Sequence, residues 1–349
     1  MSYTIAVDAM GGDHAPHEII KGTVQAIRSD ADIEILIVGD KQKIESLLKQ
    51  EKCQKQVSII HTDQWIDMHE SPKVALKEKP EASINIATRL VHEGAADALV
   101  SAGSTGATII SAAKNLNIIR GIERSALAAI YPTATFSTHS KGFSLILDVG
   151  ATIHCTPKQL VHFAYMGSFY ASKLLDVPNP RIALLNIGEE ETKGGEVMVK
   201  TYRELKEAEG LNFLGNIEGK DIPYGDAHVI ITEGFIGNVV LKMMEGMSGL
   251  LKQTGQYAVK KKISWKLGMA LLYSGVRDIR NRTDYSEYGG APILGFEKLI
   301  IKAHGRSNAK AIRNAIHMAE RSIKEDVCAH IAQSIDEFNN RHRIDFLEI

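Results

Sequence analysis

Ile5-Ala6-Val7-Asp8-Ala9-Met10-Gly11-Gly12-Asp13-His14 is the stretch on which the reading of this chain turns. Its short apolar run with β-branched residues reads as a buried strand. The run breaks at once into an Asp-rich, Gly-Gly turn. Pro16 and Glu18 then open a helical pattern carried by Ile19, Ile20, Val24 and Ile27. Strand, glycine turn and helix start, in that order, aim backbone N–H groups at an anion.

The device recurs along the chain. Strand-like runs ending at Val100, Leu147, Leu185 and Ile231 each give way to a loop of glycine with Asp, Glu, Asn, Ser or Thr. Helical patterns separate them, over Lys41–Lys49, Ser83–His92, Gln159–Leu175 and Glu196–Glu209, and the C-terminal stretch is helical as well. Alternation of this kind predicts an α/β protein, a mainly parallel sheet with helices on both faces. Ligands of such sheets bind beyond the carboxyl ends of the strands. Lys141-Gly142 is a boundary between two lobes, about 1–140 and 141–349.

A formal net charge of -1 removes nucleic acid as a partner of the whole molecule. The three cysteines, Cys53, Cys155 and Cys328, have neither zinc nor disulfide spacing and suggest a reducing compartment. The first residues lack the pattern of a signal peptide, and no apolar run is long enough to span a bilayer. The expected address is the cytoplasm.

Ser101-Ala102-Gly103-Ser104-Thr105-Gly106-Ala107 is the best phosphate loop. Gly103 and Gly106 permit close backbone approach, and Ser104 and Thr105 offer hydroxyls or cap the next helix. It is neither a Walker A loop nor a dinucleotide fingerprint. Gly188-Glu189-Glu190-Glu191-Thr192-Lys193-Gly194-Gly195 sets Lys193 among carboxylates, where it holds an anion or is merely solvated. Thr232-Glu233-Gly234-Phe235-Ile236-Gly237-Asn238, Gly289-Gly290 and His304-Gly305 are further polar glycine turns. No G-x-S-x-G elbow, H-E-x-x-H helix or Cys–His pair is present, so no covalent nucleophile, metal or cofactor is expected.

Local charge gives one more signal. From Gly246 to Arg277 there is no Asp or Glu, and Lys260, Lys261, Lys262 and Lys266 accompany Tyr257, Trp265 and several leucines. A basic amphipathic helical hairpin at about 246–281 suits a membrane surface or an acidic protein partner, and equally a helix pair packed on its own core.

Asp8-Ala-Met-Gly-Gly-Asp13, Ser101-Ala-Gly-Ser-Thr-Gly106, Leu147-Asp-Val-Gly-Ala151, Asn186-Ile-Gly-Glu-Glu190, Gly215-Asn-Ile-Glu-Gly219, Gly234-Phe-Ile-Gly-Asn238, Tyr288-Gly-Gly-Ala-Pro292 and His304-Gly305, in this order and spacing, resemble the bacterial phosphate acyltransferases of the PlsX family. The resemblance implies transfer of a long-chain acyl group from acyl carrier protein to inorganic phosphate. The acyl phosphate so formed feeds phospholipid synthesis through a downstream glycerol-3-phosphate acyltransferase. A homodimer is implied too, associated peripherally with the membrane. So is a three-layer α/β/α fold with a large mixed sheet, like that of the isocitrate and isopropylmalate dehydrogenases. Its two lobes intertwine.

Carried onto this chain, the site comprises Asp8, Gly11, Gly12, Asp13, Gly103, Ser104, Thr105, Gly106, Gly188, Glu189, Glu190, Glu233, Gly234, Asn238, Gly289 and Gly290 as substrate-binding residues. Lys193 and His304 are the catalytic pair. Lys260, Lys261, Lys262, Trp265 and Lys266 serve docking. The family pattern has Asn at the positions of Ser104 and Thr152 and Asp at that of Glu233. A short-chain phosphotransacetylase acting on a CoA thioester, and a membrane-bound scaffold without activity, are the competing readings.

Overall fold

β-Branched and leucine-rich runs build the centre of the molecule, one mixed sheet of eleven strands. The computed structural model describes residues 3–29, 33–53, 57–134, 141–272 and 289–345. The strands are β1 (Tyr3–Asp8), β2 (Ile33–Gly39), β3 (Ser58–His61), β4 (Ala98–Ser101), β5 (Ala126–Pro132), β6 (Phe143–Leu147), β7 (Arg181–Leu185), β8 (Asn212–Ile217), β9 (Val229–Ile231), β10 (Ala291–Leu294) and β11 (Leu299–Lys302). Their order is β3-β2-β1-β4-β11-β10-β5-β6-β9-β7-β8.

The helices are α1 (His17–Ser29), α2 (Lys41–Gln50), α3 (Pro72–Glu78), α4 (Ser83–His92), α5 (Thr105–Asn115), α6 (Pro157–Leu174), α7 (Gly195–Glu207), α8 (Gly234–Lys261), α9 (Ile263–Leu271), α10 (Ala309–Lys324) and α11 (Val327–Asp345).

Alternation along each strand sorts side chains to two faces. Ile5 and Val7 of β1, Ala98 and Val100 of β4, and Leu299 and Ile301 of β11 pack with α1 and α10 in one core. Ala6, Leu99 and Ile300, one residue out of phase, pack under α4 and α5 in another. That second core continues beneath Ile146 and Ile230 of the other half-sheet, where Val240, Leu241 and Met244 of α8 lie against it. A third core joins β6, β7 and β9 to α6 and α11. The result is three layers.

Direction changes three times between the half-sheets. β3, β2, β1, β4 and β11 are parallel; β11–β10, β10–β5 and β5–β6 are antiparallel; β6, β9, β7 and β8 are parallel again. The glycine loops therefore do not gather along one edge. Those after β1, β4 and β11 leave one end of the sheet, and those after β6, β7 and β9 leave the other. The returning strands β10 and β11 seat residues 291–302 between the two halves.

Candidate active site

Each half-sheet sets one buried carboxylate at a strand end, and each carboxylate folds its own loop. Asp8, 1% exposed, accepts from the Ser101 hydroxyl at 2.7 Å and from the Met10 N–H at 3.2 Å. The Ser101 hydroxyl also accepts from the Gly103 N–H at 3.1 Å. A Cβ at Gly11 would stand 2.5 Å from the Asp8 carboxylate and 2.7 Å from the Gly103 nitrogen, so only glycine brings these two loops together.

Asp148 repeats the arrangement after β6. It accepts from the N–H groups of Leu127, Gly150, Ala151 and Thr152 and from the Thr152 hydroxyl. Thr152 in turn accepts from the Gly234 N–H at 3.1 Å, and Glu233 accepts from the Cys155 N–H at 2.9 Å. Burial raises the carboxyls of Asp8 and Asp148, and their hydrogen bonds oppose the rise. Burial also pushes the Cys155 thiol up to about 11, leaving it an inert core group.

The first cluster carries the cations. Asp13 donates its N–H to the Gly305 carbonyl at 2.8 Å, which clamps the loop after β1 to the loop after β11. The Arg306 N–H donates to Nδ1 of His304 at 3.1 Å. Nδ1 is thereby an acceptor, so the ring proton sits on Nε2, 3.7 Å from the Glu245 carboxylate of α8. Arg306 lies 4.0 Å from Asp13. Burial raises the Glu245 carboxyl, but contacts with His304 and Lys242 outweigh it and bring it down to about 2.

Lys302, at the end of β11, is 6% exposed, and its Nζ donates to the Ala303 carbonyl. Burial depresses its ammonium to about 7; Asp8 and Asp13 resist that fall and Lys242 adds to it.

Ser104 occupies the cap position of α5 but makes no capping bond with its side chain. The first-turn N–H groups of α5 have no intrahelical partner either. Asp8, Gly11, Ser83, Gly103 and Ser104 line a water-sized cavity of about 10 Å³ between the loops. Lys242, Glu245, Gly246, Gly249, Leu250 and Arg306 line an open groove of about 460 Å³ along α8.

The sequence-derived residues thus fall into separate places. Asp8, Gly11, Gly12, Asp13, Gly103, Ser104, Thr105, Gly106 and His304 come together. Glu233, Gly234 and Asn238 belong to the second cluster, around Asp148. Gly188, Glu189, Glu190 and Lys193 form the loop after β7; Lys193 is exposed, and its carbonyl accepts from the Asn186 side chain at 3.1 Å. Gly289 and Gly290 are packing positions, where a Cβ would strike the backbone of Asn314 and of Lys302. Tyr288 and Arg277 lie outside the described residues. Lys302, Lys242 and Glu245 lie outside the motifs read from the sequence, whereas Asp148 lies within Leu147-Asp-Val-Gly-Ala151. A lysine closing an apolar strand beside Ala303-His304-Gly305 was the available signal for the first.

Lys260, Lys261, Lys262, Trp265 and Lys266 lie at the junction of α8 and α9, all exposed, with Lys262 5.4 Å from the Trp265 ring centre and Lys261 5.4 Å from that of Tyr257. No helix among the described residues is long and apolar enough to cross a membrane.

Among the described residues, glycine loops, an uncapped helix start and a cluster of Lys242, Lys302 and Arg306 with Asp8, Asp13 and Glu245 mark one end of an α/β sheet. The fold is that of the phosphotransacetylases: the enzyme from Streptococcus pyogenes superposes with a TM-score of 0.59 at 16% identity, covering 96% of this chain and 94% of that one. A branched-chain phosphotransacylase from Enterococcus faecalis gives 0.54 at 13% identity, over 92% of this chain and 99% of the other. The family model described as "Fatty acid synthesis protein" matches residues 3–330. A phosphate acyltransferase from Heliobacterium modesticaldum is 47% identical over 95% of this chain and 97% of its own, and one from Desulfitobacterium hafniense 45% identical over 96% and 98%. The chain belongs to this phosphate acyltransferase family and is a transferase.

Proposed function

We propose that the chain transfers an acyl group from the thioester of acyl carrier protein to inorganic phosphate at the cluster of Asp8, Gly11, Gly103, Ser104 and His304. The observation that carries this is the uncapped start of α5 beside the glycine loop after β1, in the cluster where Lys302 faces Asp8, Asp13 and Lys242. Phosphate is an anionic oxygen nucleophile, so no serine or cysteine is needed. Its oxygen bonds the thioester carbon, the C–S bond breaks, and acyl phosphate and the carrier thiol leave.

Backbone N–H groups of Gly11, Gly12 and Gly103–Gly106 cradle phosphate, assisted by the Ser104 and Thr105 hydroxyls. Positioning supplies up to roughly 7–11 kcal/mol in favourable systems. Each well-aimed oxyanion donor adds about 3–4 kcal/mol. His304 offsets developing charge, whereas Lys193 is exposed in the loop after β7 at the other end of the sheet. Asp8 and Asp13 order the loops of this cluster and Glu233 those around Asp148, since carboxylates repel phosphate. Gly188, Glu189, Glu190, Gly234 and Asn238 belong to loops at the other end of the sheet, apart from this cluster.

The basic, apolar stretch at Lys260–Lys266 docks the acidic carrier and the membrane surface. The family resemblance adds a homodimer of two-lobed subunits and delivery of acyl phosphate to a glycerol-3-phosphate acyltransferase. The phosphotransacetylase fold supports a second reading, with acyl-CoA as donor.

The deciding experiment incubates the protein with palmitoyl carrier protein and phosphate and traps acyl phosphate with hydroxylamine. Phosphate-dependent hydroxamate, formed faster from the carrier thioester than from palmitoyl-CoA, is the expected result. Preference for CoA favours the second reading, and no hydroxamate from either overturns both.

A further inference from the structure

Parallel register places three polar side chains in one row. Asp8 of β1 pairs with Ser101 of β4, and Ser101 pairs with Lys302 of β11. Register partners in parallel strands share a face. The row Asp8–Ser101–Lys302 therefore tops the columns Ala6, Leu99 and Ile300, on the face covered by α4, α5 and α8. The Ser101 hydroxyl already bridges to Asp8. Lys302 closes the row beside the loop clamped by Asp13 and Gly305, and Lys242 faces it from α8.

A lysine 6% exposed with a single neutral acceptor is a costly feature to keep for packing alone. The charged groups facing it are Asp8 from β1, Asp13 from the loop after it and Lys242 from α8. His304, Glu245 and Arg306 belong to the same cluster.

We propose that Lys302 is a catalytic residue, the proton donor to the departing thiolate. The inference rests on the acyl-to-phosphate reading above. The balance closes as follows. An oxygen of hydrogen phosphate bonds the carbonyl carbon, and the C–S bond breaks with its electron pair going to sulfur. The Lys302 ammonium gives that sulfur a proton and becomes an amine. The acyl hydrogen phosphate, more acidic than phosphate itself, returns a proton to the amine. Carrier thiol and acyl phosphate dianion leave, and Lys302 is unchanged. Burial brings its ammonium to about 7, near the working pH, where a general acid is most effective.

The test compares kcat for hydroxamate formation between pH 6 and 9 in the wild type, Lys302→Met and Lys302→Arg. In the wild type kcat falls as pH rises through about 7, because the ammonium is lost. Lys302→Met loses about 100-fold or more at pH 7, the range for a general acid. Lys302→Arg keeps a cation beside Asp8, and with it the fold, but guanidinium holds its proton too firmly to donate it. It is expected to be as impaired as the methionine variant and flat with pH, and it carries the test if Lys302→Met does not fold. His304→Gln is expected to retain the fall near pH 7, which separates the lysine from the imidazole. Activity of Lys302→Arg within about threefold of wild type, or the same pH dependence in either Lys302 variant, overturns the inference while leaving the acyl-transfer reading intact. A wild-type protein that forms no hydroxamate overturns both.

Discussion

Glu245 shows how far one residue's chemistry depends on partners distant in sequence. Its carboxyl is held at about 2 against an ordinary value of 4.5, by His304 and Lys242 against the cost of burial. The unfolded chain takes up the proton first as pH falls. The carboxylate's contribution to stability is therefore complete above about pH 5 and is lost as the pH drops from there through 2. We expect Glu245→Gln to be less stable than wild type at pH 6, with the gap narrowing steadily as pH falls through 4 and 3, by urea midpoints. A gap that stays constant with pH would show that His304 and Lys242 do not hold this carboxylate. Asp8, Gly11, Gly103 and His304 were legible in the sequence because turn chemistry is local. Glu245 and Lys302 were not: one sits inside a helix and the other ends an apolar run, and only strand register and the path of α8 bring them to the site.

At the scale of elements, α8 links the two clusters. Its start is fixed by close packing on the Asp148 loop, where a methyl built at Gly237 would overlap the Asp148 carbonyl oxygen and approach Thr232 to 2.9 Å. Alanine is better than glycine in a helix by about 1 kcal/mol. A clash with backbone outweighs that gain, since overpacking costs about 1–3 kcal/mol even against movable side chains. Gly237→Ala should lose stability, whereas Gly255→Ala, whose Cβ meets nothing within 4 Å, should gain about 0.5–1 kcal/mol. Equal effects of the two in chemical denaturation would sink this account of the α8 start. The parallel strands and most helices were readable from periodicity. β5 and β10 were not: Ala126, Ala128 and Ala129 carry little strand preference, and Pro292 after Gly289-Gly290 reads as a turn. These strands form because the neighbours β11 and β6 offer them a place in the sheet.

Across the whole molecule, polarity is distributed unevenly. α8 leaves the core after Met244, and no described residue from Gly246 to Leu272 is buried. Leu251 is 70% exposed, Leu271 81% and Trp265 43%, beside Lys260, Lys261, Lys262 and Lys266. A basic stretch that keeps large apolar side chains in water has a use for them at a surface, where apolar burial and attraction to anionic lipid add. Moving a tryptophan-sized side chain into the interface is worth roughly 2 kcal/mol, about 30-fold in partitioning. A glutamate at that place also repels the lipid. We therefore expect Trp265→Glu to lower sedimentation with anionic vesicles at least about 30-fold, and high salt to weaken the wild type in the same assay. Turnover of soluble acyl carrier thioester should fall less than vesicle binding, because the carrier is held through the lysines and Trp265 lies twenty residues beyond Glu245, the α8 residue that meets His304. Parallel losses of vesicle binding and turnover would instead make this segment part of the catalytic fold.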